Sequence, residues 1–342
     1  MFETKDKYNI AIVGATGIVG ESLLEILSSR NFPVDTVIAV ASKRSEGSKV
    51  KFGNDLLDVI AIDNYDFKNI DIAFFSAGSN VSNKYAPIAV NAGSIVIDNT
   101  SEFRYVDDIP LIVPEVNPAE IKHHSKTGII ANPNCSTIQM LVALKPIHDR
   151  YKIKSINVST YQAVSGSGKK GIDELLSQSH AFMNQQEVKS AVYPKQIAFN
   201  VIPFVDSFCE NGYTKEEMKM VWETQKILDS DIKVNATAVR VPVLIGHSES
   251  ITIETEYQID IENIISDFMN NDGIQLIDNP SEDQYPTASV HGHGSDKVYV
   301  GRVRKSLDSD NILNIWVVAD NVRKGAALNS IQIAEQLIKG EK

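Results

Sequence analysis

The chain has 342 residues, of which 43% are hydrophobic and 23% are charged. This length suits about two domains, and the composition is that of a globular chain, which excludes a disordered or fibrous protein. With 33 basic against 44 acidic side chains the formal net charge is −11, so nucleic acid is not an expected partner, and an anionic substrate requires a local basic pocket.

The N-terminal residues 1–8 are charged and lack the apolar stretch of a signal peptide. No later segment approaches the ~18 consecutive apolar residues of a membrane span, so we expect a cytoplasmic protein without membrane contact. The only cysteines are Cys135 and Cys209, which are too few for a disulfide framework and lack metal-ligand spacing. No metal site is expected.

The first predicted element is a buried strand that ends at Val13 and runs into a glycine-rich turn. Apolar residues at helical spacing follow from Val19, so the glycines lie where a strand becomes a helix. Backbone N–H groups there face a bound anion, which favours a dinucleotide phosphate site. The residues expected to contact the cofactor are Gly14, Ala15, Thr16, Gly17, Ile18 and Val19. A tight turn that only packs the helix is the alternative.

A second strand is predicted at Thr36–Ala41. In dinucleotide-binding folds the end of this strand faces the adenosine ribose, where a carboxylate favours NAD. This chain instead has Ser42, Lys43, Arg44 and Ser45 there, and two hydroxyls with two cations suit a 2′-phosphate. The residues expected to contact it are Ser42, Arg44 and Ser45. NADP is therefore the predicted cofactor, with a solvated basic loop as the alternative.

Two further strands, Ile70–Phe75 and Ser94–Asp98, flank a helical stretch. This alternation is typical of a doubly wound α/β sheet with a Rossmann-like order. Ser76, Ala77 and Gly78 follow one of these strand ends, so we expect them near the cofactor.

Cys135 precedes a helical pattern and follows the turn residues Asn132–Asn134. A thiolate at a helix N-terminus is stabilised by free N–H groups, and the thiolate is the nucleophile. A buried core cysteine is the alternative interpretation. Cys209 has no such setting and is interpreted as structural.

The middle of the chain predicts a second, α+β domain. Its strands, Ser155–Thr160, Thr237–Val243 and Ser250–Tyr257, alternate in polarity, which favours a mainly antiparallel sheet with helices on one face. The pair His291 and His293 lacks further ligands for zinc and is interpreted as a loop. His123 and His124 are interpreted as a solvated helix end.

Several motifs then coincide in order and spacing along the chain. They are residues 14–17 (GATG), 114–117 (PEVN), 132–137 (NPNCST), 161–168 (YQAVSGSG), 240–247 (RVPVLIGH) and 320–327 (DNVRKGAA). Together they span nearly the whole chain, and the chain resembles the aspartate-semialdehyde dehydrogenases.

The resemblance implies an NADP-dependent phosphorylating dehydrogenase in the biosynthesis of lysine (through diaminopimelate), threonine and methionine. Aspartyl 4-phosphate would be reduced to aspartate 4-semialdehyde through a thioester on Cys135. His247 matches the family's acid/base and Gln162 its substrate-orienting glutamine. The family also implies a homodimer formed through the second domain's sheet, or a tetramer.

The resemblance also assigns the substrate. Arg240 would bind the substrate carboxylate in a two-pronged contact, which lysine cannot copy. Glu216 and Lys219 are three apart and share a helix face, and they would meet the ammonium and the phosphate. Arg104 and Asn134 complete the substrate residues, and Ser165, Gly166 and Asn321 are expected on the nicotinamide side.

Two other functions remain open. N-acetyl-gamma-glutamyl-phosphate reductase shares the fold and the thioester chemistry, but its acylated substrate has no ammonium for Glu216. A non-catalytic NADPH-binding regulator would need neither Cys135 nor His247.

The sequence predicts two domains. Residues 1–134, joined by the C-terminal helix 325–342, are expected to bind NADP. Residues 135–324 are expected to carry catalysis and dimerisation.

Overall fold

The computed structural model describes residues 5–340, and predictions that fall on residues 1–4 and 341–342 lie outside the described residues. The chain forms two compact units. The first comprises Met1–Pro133 and Ala326–Lys342, and the second comprises Asn134–Gly325. Each unit has its own sheet.

The first unit contains a seven-stranded sheet in the order β3-β4-β2-β1-β5-β6-β7. All neighbours pair in parallel except β3 and β4, which form an antiparallel hairpin at the edge. The strands are β1 Tyr8–Val13, β2 Val34–Ala41, β3 Lys49–Phe52, β4 Asp55–Ala61, β5 Ile72–Phe75, β6 Ile95–Asp98 and β7 Ile129–Ala131. This is the Rossmann-like order that the sequence predicts.

The helices of this unit are α1 Ile18–Ser29, α2 Ser79–Asn91 and the C-terminal α7 Leu328–Lys339. Because parallel strands are covered on both faces, β1 is apolar almost throughout. Helix α7 completes the same core with five buried apolar residues, Leu328, Ile331, Ile333, Ala334 and Leu337. Its Glu335 also accepts two hydrogen bonds from the Arg30 guanidinium on α1, at 2.7 and 2.8 Å.

The second unit contains a six-stranded sheet in the order β11-β12-β13-β10-β8-β9. The three central pairs are antiparallel and the two outer pairs are parallel. The strands are β8 Ile153–Gln162, β9 Lys233–Arg240, β10 His247–Thr255, β11 Ile274–Leu276, β12 Val298–Lys305 and β13 Ile312–Ala319. The helices are α3 Cys135–Tyr151, α4 Lys169–Met183, α5 Lys215–Ile227 and α6 Ile261–Met269.

Helix α3 packs against β8, β10, β12 and β13. On β10 the side chains that alternate toward this buried face are His247, Glu249, Ile251, Ile253 and Thr255. The opposite face of the sheet is more exposed, and there the rings of Tyr161 and Trp316 lie 5.4 Å apart. The period of two therefore directs His247 into the interior, beneath α3.

Three local predictions need correction. The strand predicted at Thr237–Val243 is β9 Lys233–Arg240, because Pro242 cannot donate to a ladder and the chain turns there. His124 is buried rather than solvated, since its Nδ1 bonds the Ile121 carbonyl at 2.7 Å. The segment Ala288–Gly292 is a short π-helical turn rather than an open loop.

Within residues 5–340, no helix is both long enough and apolar enough to cross a membrane. Likewise, no group of three or more histidine, cysteine or acidic side chains in this range is arranged to hold a metal ion.

Candidate active site

The glycine-rich turn of the first unit joins β1 to α1 at the carboxyl edge of the parallel sheet. Gly14 has φ +95°, and a Cβ there would lie 2.9 Å from the carbonyl carbon and the Oγ of Ser76. Only glycine fits such a position. Gly17 caps α1, whose first free N–H groups follow at Ile18 and Val19. Ala15 and Thr16 complete the turn, which is shaped to admit a phosphate group close to the backbone.

The residues predicted to bind the adenosine end follow β2. Ser42 and Arg44 are exposed, and the Ser45 hydroxyl lies 3.5 Å from that of Thr16 in the glycine-rich turn. Within the described residues Arg44 makes no ion pair, whereas its neighbour Lys43 is paired with Glu46. A free guanidinium and two hydroxyls beside this turn fit the 2′-phosphate of NADP.

Residues 76–78 follow β5 at the same edge of the sheet. The Ser76 hydroxyl donates to the Val13 carbonyl at 3.2 Å. Gly78 has φ +95° and caps α2, with no atom within 4 Å of the place a Cβ would take. Ala77 lies between them, against Gly14. The structure therefore brings the predicted cofactor residues of the first unit together at one edge.

Arg104 also belongs to the first unit. It is 6% exposed, and its guanidinium donates to the Asn99 carbonyl at 3.0 Å. It follows the buried Asp98, whose pKa is raised by burial although hydrogen bonds from Ser82 and Thr100 oppose that rise. The arginine is thus held in a defined position by backbone.

Cys135 is the first residue of α3. The cap is Asn134, whose side-chain Oδ1 accepts from the N–H groups of Ser136 and Thr137 at 3.0 and 3.3 Å. The positive end of the helix dipole favours the thiolate form of a cysteine at this position. Gly325 packs directly on it, since a Cβ there would lie 2.8 Å from the Cβ of Cys135. The predicted nucleophile therefore lies where a thiolate is stabilised.

Glu216, in the first turn of α5, is the centre of a buried network. Its Oε1 accepts from Asn134 Nδ2 at 2.8 Å and from Gln162 Nε2 at 3.0 Å, and its Oε2 pairs with Lys219 Nζ at 3.0 Å. Burial alone would raise the pKa of Glu216, but the Lys219 charge and the amide donors lower it to about 2. The carboxylate is therefore ionised and fully anchored.

His247, the first residue of β10, is fully buried beside Gln162. Its Nδ1 accepts from the N–H of Ala163 at 3.0 Å, and its Nε2 lies 3.5 Å from Gln162 Nε2. Burial, and then the positive charge of Arg240, lower the pKa of His247 to about 3. The imidazole is therefore neutral, and because Nδ1 is an acceptor its proton lies on Nε2.

Arg240, the last residue of β9, is anchored on one side only. Its Nη1 donates to the Ala163 carbonyl at 2.6 Å, and its guanidinium lies over the ring of Tyr193, 5.9 Å from the centroid. Its buried Nε has no hydrogen-bond partner among the described residues. A Cβ at Gly166 would lie 2.9 Å from Nη1 and 3.6 Å from His247 Nε2. Gly166 thus keeps the space before both side chains open.

The residues predicted on the nicotinamide side form a compact turn rather than a flexible surface loop. Val164–Ser167 is a 3-10 turn in which Ser165 is buried. The Oδ1 of Asn321 accepts from Ser165 Oγ at 3.0 Å and from the N–H of Gly246 at 2.9 Å. The Asn321 amide thereby ties the Val164–Ser167 turn to Gly246, the residue before His247.

Two contributors escaped the sequence analysis. Glu223 is fully buried on α5 and its Oε2 accepts from the N–H of Asn134 at 2.6 Å. It lies seven residues after Glu216, on the same helix face, and that spacing was the available signal. Tyr193 contacts Arg240 and donates to Ser167 Oγ at 3.0 Å. It lies in a segment without regular structure, where no periodic signal exists.

Comparisons with known proteins agree with this geometry. The chain matches the family models "Semialdehyde dehydrogenase, NAD binding domain" over residues 9–124 and "Semialdehyde dehydrogenase, dimerisation domain" over residues 144–324. Aspartate-semialdehyde dehydrogenase of Shewanella violacea is 54% identical over 334 residues, which are 97% of this chain and 98% of that protein.

Solved structures agree as well. The crystal structure of aspartate semialdehyde dehydrogenase II from Vibrio cholerae, complexed with ASA, is 52% identical with a TM-score of 0.96, and the match covers 99% of this chain and 100% of that one. The chain belongs to the aspartate-semialdehyde dehydrogenase family. The Candida albicans aspartate semialdehyde dehydrogenase with NADP has a TM-score of 0.73 at 25% identity, covering 97% of this chain and 98% of that one.

Membership of the aspartate-semialdehyde dehydrogenase family confirms the resemblance drawn from the motifs and the predicted α/β class of the fold. High identity over nearly the full length favours this family over the N-acetyl-gamma-glutamyl-phosphate reductases and over a non-catalytic regulator. The second unit carries the family's dimerisation domain.

Proposed function

We propose that the chain is an NADP-dependent aspartate-semialdehyde dehydrogenase that reduces L-aspartyl 4-phosphate to L-aspartate 4-semialdehyde and phosphate. The observation that carries the proposal is the position of Cys135 at the start of α3, where its cap residue Asn134 is joined through Glu216 to Gln162, whose amide lies 3.5 Å from the His247 ring. A thiol nucleophile at a helix N-terminus, in a unit that also holds a buried neutral imidazole, suits acyl transfer. The product leads to lysine, threonine and methionine in this family.

The thiol chemistry proceeds in two stages. The thiolate of Cys135 attacks the acyl carbon of the substrate, a C–S bond forms, and the C–O bond to phosphate breaks. Bound NADPH supplies the hydride that reduces the thioester. Transfer of that hydride leaves a negative charge on the oxygen of the reduced carbon, and the Nε2–H of His247 can donate a hydrogen bond to it. When this oxyanion collapses to the C=O of the aldehyde, the C–S bond breaks and its electron pair restores the Cys135 thiolate.

The remaining residues are proposed to bind the charged groups of the substrate. Arg240, anchored on Ala163 with its Nε unpaired, is suited to bind the substrate carboxylate. Glu216 supplies the negative charge that an ammonium requires, and Lys219 supplies a cation for the phosphate. Gln162 is held by Thr160 and Glu216, so its amide is oriented before the substrate arrives. Arg104 is proposed as the second phosphate ligand.

The experiment that tests this function follows NADPH formation by the purified enzyme with aspartate semialdehyde, with and without phosphate. Cys135→Ala is the matched control, and we expect it to abolish turnover while NADP binding persists. N-acetylglutamate semialdehyde is the competing substrate. Turnover of that substrate alone would refute the assignment of Glu216, and retained activity of Cys135→Ala would refute the thioester mechanism.

Cofactor choice is tested separately. Because Arg44 is exposed and has no ion-pair partner within residues 5–340, Arg44→Ala is expected to weaken NADP binding much more than NAD binding. The measurement is kcat/KM for each cofactor, with Lys43→Ala as the neighbouring control. Equal losses for both cofactors would contradict a 2′-phosphate contact.

We also propose that the enzyme is a cytoplasmic homodimer, or a tetramer built from such dimers, without nucleic acid or membrane partners. The dimerisation domain supports self-association, and a free thiol nucleophile suits a reducing compartment. The half-exposed sheet face that carries Tyr161 and Trp316 is the proposed contact. Light scattering coupled to size-exclusion chromatography distinguishes one, two or four copies.

A further inference from the structure

The ammonium of Lys219 lies between two carboxylates of different character. Its Nζ is 3.0 Å from Glu216 Oε2 and 2.8 Å from Asp206 Oδ2. Burial alone would lower the pKa of Lys219, but both carboxylates raise it above its usual range. The lysine is therefore a fully charged cation whose hydrogen-bonding directions are partly occupied.

Glu216 is the fixed partner of the two. Its side chain is 7% exposed, and besides Lys219 it holds the amides of Asn134 and Gln162. Moving it would disrupt the site and leave buried donors without acceptors. Glu216 therefore stays where it is during any change at Lys219.

Asp206 is the partner that can move. It lies in the irregular segment between α4 and α5, its side chain is 36% exposed, and its φ of +68° is in the left-handed region. Among the described residues its only other hydrogen bond is local, from the N–H of Ser207 at 2.8 Å. The Lys219 side chain is only 16% exposed, but solvent reaches the Asp206 carboxylate and screens the pair from that side, so Asp206 can leave Lys219 at modest cost.

The charges of this trio oppose a bound phosphate. Lys219 carries one positive charge against the two negative charges of Glu216 and Asp206, so a phosphate that approaches the ammonium also approaches an excess negative charge. The oxygen of Asp206 holds the ammonium at 2.8 Å, which is the distance that a phosphate oxygen would take in the same contact. The two acceptors compete for the same group.

We propose that Asp206 is a resident counter-ion of the phosphate subsite: it pairs with Lys219 between turnovers, and the phosphate group of the substrate displaces it. The inference rests on the proposed role of Lys219 in the phosphate-dependent reaction. Asp206 thereby sets how much phosphate the enzyme requires, and it protects the ammonium from other anions.

The test is Asp206→Asn in the phosphate-dependent oxidation of aspartate semialdehyde. Without the competing carboxylate, the KM for phosphate is expected to fall about two- to fivefold, the size of an ion pair with one exposed partner. The KM for aspartate semialdehyde is expected to stay unchanged. A binding measurement that needs no turnover is the protection of Cys135 from iodoacetamide by phosphate, where the half-protecting concentration should fall by the same factor.

The direction in which Asp206→Asn changes the KM for phosphate distinguishes a counter-ion from a positioning residue. If Asp206 only positions Lys219, Asp206→Asn raises the KM for phosphate, and that result or an unchanged KM overturns the inference. Asp206→Glu keeps the carboxylate and should retain the original KM. Glu210→Gln, an exposed carboxylate of the same segment, is the matched control and should change nothing.

Lys219→Met separates this inference from the function on which it rests. If that variant raises the KM for phosphate while Asp206→Asn does not lower it, the counter-ion role alone fails. If Lys219→Met leaves the KM for phosphate unchanged, the assignment of Lys219 to the phosphate fails first.

Discussion

His247 shows how burial selects one role for a side chain. An exposed histidine titrates near neutral pH, but burial and the neighbouring Arg240 lower the pKa of His247 to about 3. The Ala163 N–H occupies Nδ1, so the neutral ring presents an N–H at Nε2. Such a group is suited to donate a hydrogen bond to a developing oxyanion.

This state predicts the pH dependence of the reaction. Over pH 5–8 the wild-type kcat/KM is expected to show no inflection caused by His247, since the ring stays neutral throughout. His247→Gln should lower kcat by about 10²–10⁴-fold without changing the shape of that profile. An inflection between pH 6 and 7 that disappears in His247→Gln would contradict the neutral ring.

Glu249 is a second buried ionisable group, two residues after His247. It is fully buried, and neither carboxyl oxygen has a hydrogen-bond partner within residues 5–340. Burial raises the pKa of Glu249 well above its usual range, and the nearby dipole of the Gln139 amide only partly opposes that rise. Burial therefore favours the protonated, neutral form of this side chain.

A raised pKa in the folded state makes stability depend on pH in a defined direction. Near pH 4 the carboxyl is protonated in both states, but at higher pH only the unfolded state ionises, so stability is lost by up to about 1.4 kcal/mol per pH unit until the folded pKa is reached. Glu249→Gln removes this loss. Its free energy of unfolding relative to wild type should therefore be higher at pH 8 than at pH 5 in urea titrations.

The control for this measurement is Glu254→Gln on the same strand. Glu254 is exposed, and hydrogen bonds from Ser155 and Lys154 lower its pKa, so its substitution should not reproduce the gain at pH 8. A constant difference between Glu249→Gln and wild type across pH 5–8 would mean that Glu249 is ionised in the folded protein.

At the residue scale, motifs single out the candidate site residues, but they do not reveal the buried groups behind them. Cys135, His247, Glu216 and Lys219 were found through motifs, and the structure joins the last two in an ion pair. Glu249 was missed because residues 247–250 are all polar, so alternation cannot tell which face is buried. A buried acid also contradicts the expectation that glutamate lies outside.

Among the elements, α3 depends on α5. The cap residue Asn134 receives its orientation from Glu216 through its side chain and from Glu223 through its backbone N–H. The two glutamates are two helical turns apart on one face of α5. Helix α5 itself begins at a capping box in which Thr214 and Glu217 satisfy each other's backbone N–H groups. The start of α3 is therefore fixed by a helix distant in sequence.

Removing this support should weaken both stability and reactivity. Glu223→Ala leaves the buried N–H of Asn134 without its acceptor, and we expect a loss of about 1–3 kcal/mol in the free energy of unfolding. Cys135 should then react more slowly with iodoacetamide at neutral pH, because its helix end is less well ordered. Glu223→Gln keeps an acceptor oxygen, so its free energy of unfolding and its alkylation rate should lie between those of wild type and Glu223→Ala. An unchanged alkylation rate in Glu223→Ala would mean that Glu223 does not influence the reactivity of Cys135.

Element boundaries were predictable only where a sequence signal stops the element. Helix α3 begins at Cys135, as the turn before it predicts. The hairpin of β3 and β4 was not predicted, because its exposed strands carry charged residues and only weak alternation. Cross-strand pairing fixed those strands, and pairing partners are not visible in a local pattern.

At the scale of the whole molecule, the first unit is discontinuous in sequence. Its last helix, α7, comes after the entire second unit in the sequence. Nevertheless, five apolar residues of α7 belong to the hydrophobic core of the seven-stranded sheet. Asn329 on α7 also donates to the Ile112 carbonyl at 3.0 Å and to Asn132 Oδ1 at 2.7 Å. The helix is therefore part of the unit rather than an appendage.

Deletion of residues 326–342 is expected to expose this core face. We predict that the shortened chain loses NADP binding and its cooperative thermal transition, because buried aliphatic side chains each contribute about 1.5–3 kcal/mol. Fluorescence titration with NADPH and calorimetry measure the two effects. A shortened chain that binds NADPH with an unchanged Kd would show that the first unit is complete without α7.

The late arrival of α7 has a consequence for biosynthesis of the protein. A chain emerging from the ribosome folds from its N-terminus, but here the sheet made first lacks one covering helix until translation has passed residue 339. The second unit can complete its own core earlier, since it is continuous in sequence. Translation that stops early therefore leaves a fragment with an uncovered apolar face, which marks it for chaperones and proteases.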